Sequence, residues 1–515
     1  MLETLALMGG GFVNALSPTN LFAMAAGTAI GIVIGCLPGL SAAMGVALLL
    51  PMTFSMEAST GLIVLGAIYC GAIFGGSISA ILIHTPGTPA SAATAIEGYQ
   101  MTLQGRAGKA LGVSCFSSFC GGLLSCISLY FFAPLLAQLA MKFGSPEYFW
   151  LSIFGLTIIA GVSSKSMIKG LMSGALGLLI STIGMDPMEG VKRFMFGQSS
   201  LYEGINVTCA LIGLFSMSQA MILAEKKIRQ RAKAAKFQDK IGVTGAEIKR
   251  LTPTILRSWI IGNLIGILPG AGASIACFMG YNSARQFSKH KEEFGHGSME
   301  GVAGSEAANN AVTGGALVPM LSLSVPGDPS TAVILGAFMI QGISCGPLLV
   351  TQHLDIFQTV LVAVFVANIF MYVVQAGTIR WTAQLLLVPK YTLMPLIVAF
   401  CSIGAFTVNN RSFDLYMLLA FSVLGFVLKE NDYPLMPMVL AFILGELIEP
   451  YYRRSVLFYN GNLLNAFTEF SLGTVFVVLA VISPFLGIAY DKWKKKKREK
   501  AAAAAGAEQT GKTEE

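Results

Sequence analysis

GIVIGCLPGLS (31–41) and GNLIGILPGAGAS (262–274) are two copies of one device: an apolar helix with glycines four apart, broken by Leu-Pro-Gly. Proline has no N–H to donate and its ring crowds the preceding turn, so Pro38 and Pro269 should each end one helix and open another. The surroundings are those of a membrane protein. Of 515 residues, 54% are hydrophobic and 12% charged, against about 25% charged in an ordinary soluble domain. Runs such as 354–374 and 470–490 are long enough to cross a bilayer. Inside hydrocarbon, a broken helix is tolerated only where the freed backbone is buried or lines water. The expected fold is an all-α polytopic membrane protein of roughly 10–12 transmembrane helices, with inverted repeats, broken helices and re-entrant segments.

A second motif follows each break in the same order. It reads Thr85-Pro86-Gly87-Thr88-Pro89-Ala90-Ser91 in one half and Val325-Pro326-Gly327-Asp328-Pro329-Ser330-Thr331 in the other. Gly75-Gly76 and Gly314-Gly315 precede them. The prolines of the two motifs lie 48 residues apart in the first half and 57 in the second. The polar stretch 285–310 accounts for the difference and reads as a longer loop. One Pro-Gly pair is noise, but two ordered pairs in matching apolar contexts indicate an internal duplication.

Charge sets the orientation. Residues 225–250 hold nine Lys or Arg against three acids, and residues 492–500 hold seven against Glu499. Both runs flank apolar spans, so they mark cytoplasmic segments and not a nucleic-acid surface. No Lys or Arg precedes Arg106, so the two halves enter the membrane from opposite sides, which is the case for inverted repeats. The expected organisation is a first membrane repeat (1–224), a basic cytoplasmic linker (225–250), a second repeat (251–490) and a basic, disordered tail (491–515). No cleavable signal peptide is read at the start, which has Glu3 and no basic region.

Helix starts after Pro-Gly offer unpaired N–H groups and the positive end of a helix dipole, which suit an anion. Four such starts are expected, near Gly39, Gly87, Gly270 and Gly327. Ser41, Thr88, Ser91, Ser274, Ser330 and Thr331 fall in or near their first turns, with Thr85 just before; Asn309 and Asn310 supply amides. These are the candidate substrate contacts. For each hydroxyl the competing reading is a simple helix cap. Asp328, where the other half has Thr88, is the candidate coupling residue for a cation, joined by carbonyls freed at Pro38 and Pro269; its competing reading is again a cap. For Asn309 and Asn310 the competing reading is a solvated loop end, and Glu306 carries that same ambiguity. Paired Gly/Pro breaks in matching halves are the pattern of a carrier's binding site.

Other chemistries lack their signatures. The nine cysteines and four histidines fall in no C-x-x-C or metal spacing and H-E-x-x-H is absent, so no metal, cofactor or enzymatic activity is expected. A passive anion channel is the rival reading, separable by cation dependence of flux.

The motifs as quoted, with GAIFGGSISAILIHTPGTPASAATAIEGYQMTLQGRAGKALG (71–112) and GVAGSEAANNAVTGGALVPMLSLSVPGDPSTAVILGAF (301–338), resemble the large membrane subunit of the tripartite tricarboxylate transporter family. The resemblance runs to about residue 490. It implies a secondary carrier for citrate-like or other carboxylates in the bacterial inner membrane, driven by Na⁺ or H⁺. It also implies a small membrane subunit and a periplasmic solute-binding protein as partners. Dicarboxylates and aromatic acids are alternative substrates that the residues do not rank.

Overall fold

Each Leu-Pro-Gly break begins with one leucine pulled out of the helix. A computed structural model describes residues 11–162, 166–225, 239, 241–270, 272–385, 390–462, 465, 473–482 and 484–485. In it α1 (Pro18–Cys36) stops before Leu37, at φ −82°, ψ 113°. Its counterpart, later in the chain and ending at Ile267, stops before Leu268 at φ −79°, ψ 118°. Proline disfavours helical geometry in the residue before it, which gives both stops one cause. Gly39 and Gly270 then turn the chain at φ 99° and 79°, a region open to glycine without penalty. Ser41 caps the short α2 (Ala42–Leu49), accepting the Met44 N–H at 3.2 Å.

The remaining elements of the first half are α3 (Ala58–Ile83), α4 (Thr94–Leu103), α5 (Ala107–Ala140), α6 (Ser145–Val162) and α7 (Met167–Ser181). A two-stranded hairpin follows, pairing β1 (Gly184–Met185) with β2 (Lys192–Arg193), and then α8 (Val207–Leu211) and α9 (Ser218–Glu225) with a π-helical stretch between them. The second half holds α10 (Gly245–Ile267), α11 (Gly272–Phe287), α12 (Met299–Leu323), α13 (Pro329–Ile340), α14 (Pro347–Gln352), α15 (Leu354–Leu385), α16 (Lys390–Asn409), α17 (Ser412–Glu430) and α18 (Leu435–Phe458). Seven described helices are long and apolar enough to cross a membrane, and shorter apolar helices accompany them. The protein is an all-α polytopic membrane protein.

α3 and α12 are the matched centres of the two halves. Both are buried nearly all round. Both end on a left-handed residue, His84 at φ 54° and Ser324 at φ 60°. In both the next N–H reaches back six residues, Thr85 to the Ser79 carbonyl and Val325 to that of Pro319. Glycines let their partners approach closely: α1 and α3 meet along Gly31, Gly35, Gly71 and Gly75, and α10 and α12 along Gly262, Gly266 and Gly315.

The loop expected over 285–310 is a loop only in part. α11 runs through Phe287 and α12 begins at Met299, so 299–310 is a buried helix. Ser298 caps it by accepting the Gly301 N–H at 3.3 Å. Gly301 and Gly304, read as loop residues, give room for Tyr281 and for Gly280 of α11. Tertiary packing overrides the low helix propensity of these glycines.

The chain forms two compact units. One comprises 1–142 with 205–427, the other 143–204 with 428–515, so each unit draws on both sides of the basic stretch. In the second, Asp186 accepts from the Met188 N–H at 2.8 Å and from Arg453 at 2.6 Å, and Arg193 grips Glu449 in a two-bond fork. The basic run 226–238 and the tail 491–515 lie outside the described residues.

Candidate functional site

The four motifs form a crossed arrangement in the first unit. Within each half, the Pro-Gly loop seats on its own break: a Cβ on Gly87 would strike the Gly35 carbonyl, and one on Gly327 would lie 2.5 Å from that of Gly266. The Gly270 N–H also donates to the Gly327 carbonyl at 2.9 Å. Between halves the contacts cross. α2, which leaves the first break, packs on α13, which leaves the second loop. α11, which leaves the second break, packs on the turn 89–91 of the first loop. Tyr69 of α3 adds a direct bond, its hydroxyl donating to Asp328 at 2.6 Å.

Three of the four expected helix starts are helix starts. α2 is capped by Ser41, α11 begins at Gly272, and α13 is capped by Asp328, which accepts the Thr331 N–H at 2.8 Å. After Gly87 the chain makes only a 3₁₀ turn, Pro89–Ser91, before α4. There Ser91 turns its hydroxyl back onto the Thr88 carbonyl at 2.9 Å, which tightens the turn.

The candidate residues divide by burial. Pro38, Gly87, Thr88, Ser91, Asn309, Asn310, Gly327, Asp328, Ser330 and Thr331 are buried; Gly39, Thr85 and Ser274 are exposed, and Ser41, Pro269 and Gly270 are intermediate. Ser41, Asp328 and Thr331 are engaged in caps. Asn309 differs from all of these. It is 0% exposed, and neither its Nδ2 nor its Oδ1 has a hydrogen-bond partner among the described residues. Thr88 Oγ1 and Asn310 Oδ1 are also buried and unpartnered. A buried polar group left unsatisfied costs about 1–3 kcal/mol, so Asn309 alone withholds two groups that a ligand can use. Its Nδ2 is a donor for a carboxylate oxygen.

One helical turn before Asn310 lies Glu306, also 0% exposed. Its Oε1 accepts from Thr94 of α4 and its Oε2 from Ser118 of α5 at 2.8 Å. Ser305 stands 2.9 Å from the Thr94 hydroxyl, and Ser114 donates to Ser77 at 2.9 Å. This seam of hydroxyls and amides follows the buried face shared by α3, α4, α5 and α12. Tyr69, Thr94, Ser118 and Ser305 are members that sequence reading passed over. Each sits in a segment whose apolar or small neighbours give no local signal. A phenol within the otherwise uncharged α3 was the one available hint.

Glu97, also on α4, works structurally. Its carboxylate accepts from the Gly295, Gly297 and Ser298 N–H groups at 2.6–2.9 Å and from Tyr281 at 2.8 Å. It thereby pins the approach to α12.

Residues 21–440 match the family model described as the tripartite tricarboxylate transporter TctA family. The chain is 36% identical over 488 residues to an uncharacterized 52.8 kDa protein in the TAR-I ttuC' 3' region of Agrobacterium vitis, covering 94% of this chain and 97% of that one. It is 36% identical over 227 residues to an uncharacterized protein in the TAR-II ttuC' 3' region of the same organism, covering 44% of this chain and 90% of that one. No solved structure matches the chain.

Proposed function

The chain belongs to the tripartite tricarboxylate transporter TctA family, and on that premise we propose that it carries tricarboxylates or related carboxylates into the cell, coupled to a Na⁺ or H⁺ gradient. It does so from the bacterial inner membrane, with its C-terminus cytoplasmic. A small membrane subunit and a periplasmic solute-binding protein complete the transporter.

The observation that carries this reading is Asn309 of α12, whose amide is wholly buried and, among the described residues, unpartnered at both its oxygen and its nitrogen. The substrate carboxylate takes the Asn309 Nδ2 donor, and Thr88 and the N–H groups of the Pro-Gly loops are its further proposed contacts. No Lys or Arg lies in the four motifs, so the anion's charge is met by dipoles and by a co-bound cation. The two halves act as inverted repeats, and alternating access moves one group of helices against another around this site.

Uptake of labelled citrate by cells producing the chain with its two partner subunits tests the proposal. Asn309→Ala is expected to lower the initial rate about tenfold or more, the equivalent of one lost hydrogen bond to a charged group. Uptake at the unaltered rate sinks the site assignment. Flux indifferent to both Na⁺ and pH makes the chain a passive channel.

A further inference from the structure

We propose that Glu306 is the carboxylate of a sodium site, framed by Thr94 and Ser118 and placed one helical turn from the substrate amides. The inference rests on the coupled-transport reading and assigns its cation to specific atoms.

Glu306 is fully buried, and both of its oxygens are met by hydroxyl donors, never by a cation. Among the described residues, the titratable groups that face it from the packed elements are the thiols of Cys115 on α5 and Cys277 on α11. No ion pair reaches it among the described residues. A buried carboxylate without a counter-charge is expensive, and hydroxyl donors soften that cost without cancelling the charge. One negative charge among neutral oxygens matches one monovalent cation. Hydroxyl, amide and carboxylate oxygens are the hard ligands such a cation takes. No group of three His, Cys, Asp or Glu side chains that would suit a metal ion of higher charge occurs among the described residues.

Asn310 supplies the independent observation. Its Nδ2 donates to the Glu306 main-chain oxygen at 3.1 Å, and its buried Oδ1 accepts from nothing among the described residues. A single proton on Glu306 would leave that oxygen unsatisfied, whereas a metal cation takes several oxygens at once. On the same turn Asn309 Nδ2 is a free donor. Acceptors for a cation and a donor for a carboxylate therefore share residues 306–310 of one helix, where residues three and four apart face the same way. Each bound ion lowers the cost of the other by opposite charge.

The test is sodium-dependent stabilisation of the purified full-length chain. The unfolding temperature is followed at pH 8 as NaCl replaces choline chloride at constant ionic strength. The wild type is expected to show a saturable rise that Glu306→Gln abolishes. Ser118→Ala, the milder change should Glu306→Gln fail to fold, is expected to raise the half-saturating concentration about tenfold. A wild type without a sodium response overturns the proposal, as do unchanged responses in both variants. A response to pH in place of sodium, lost in Glu306→Gln, also overturns it and makes Glu306 a proton carrier. Citrate added at saturating sodium reads the transport premise separately: a sodium response without a response to any carboxylate upholds the cation site and counts against the premise.

Discussion

Gly87 and Gly327 show how much the site depends on single atoms. Each seats a Pro-Gly loop on a backbone carbonyl of the preceding break, and that carbonyl belongs to a helix that has no room to retreat. Gly87→Ala and Gly327→Ala are therefore expected to cost about 1–3 kcal/mol each, as overpacking does. Gly377→Ala, in a helix with open space around its Cα, should be neutral or slightly stabilising by helix propensity. Thermal unfolding of the three variants in detergent checks the contrast; equal midpoints for all three would remove the close approach as a cause. At this scale the sequence was informative where chemistry is local. Pro38, Pro269, Gly87 and Gly327 announce breaks and turns by their own backbone limits, and Asn309 was legible as an amide at the end of the polar stretch 285–310. The bond from Tyr69 to Asp328 spans 259 residues, and neither residue carries a mark of the other. Asp328 was readable as an acid at a helix start, and its capping role follows from that position, but its phenol partner follows only from the crossed packing.

Among elements, α12 departs furthest from what its residues announce. Glycines and acids between 285 and 310 have the composition of a loop, yet from Met299 onward they form the helix that carries Glu306, Asn309 and Asn310. Glu97 holds its entrance through four donors. Glu97→Gln keeps the shape and loses the charge that strengthens those bonds, so the unfolding temperature should fall and exchange protection over 295–301 should drop. Retained protection in the variant would mean that the loop holds itself. Ser41→Ala removes the cap of α2 and should cost about 1 kcal/mol; a transport defect larger than that loss accounts for would mark Ser41 as a ligand contact as well. The hairpin of the second unit gives a pH prediction. The Met188 N–H first, then the Glu189 N–H and Arg453, hold the Asp186 carboxyl below its usual range. A carboxyl depressed in the folded state adds stability that is complete above the unfolded value, about pH 4, and fades as pH falls through the folded one. Amide protection over 184–193 should thus be equal at pH 7 and pH 5 and decline only in stronger acid. In Asp186→Asn it should already be low at pH 7; a wild-type loss near pH 6 would point to another group.

For the whole molecule, the duplication was legible because each half repeats a proline-directed break and a Pro-Gly loop in the same order. The matched dihedrals at Leu37 and Leu268, and at His84 and Ser324, are that repetition expressed in backbone geometry. What the sequence withheld is the exchange between halves, with α2 on α13 and α11 on the first loop, since no local pattern encodes which helix of one half meets which of the other. The exchange brings elements of the two motif copies together, and the proposed carboxylate contact is Asn309 of α12, buried and without a partner among the described residues. Equilibrium binding of tri-, di- and aromatic carboxylates to the purified chain in sodium, by titration calorimetry, tests that claim most directly. The account predicts saturable binding of at least one carboxylate, weakened about tenfold or more in Asn309→Ala; equal affinities for the wild type and a folded Asn309→Ala variant would contradict it.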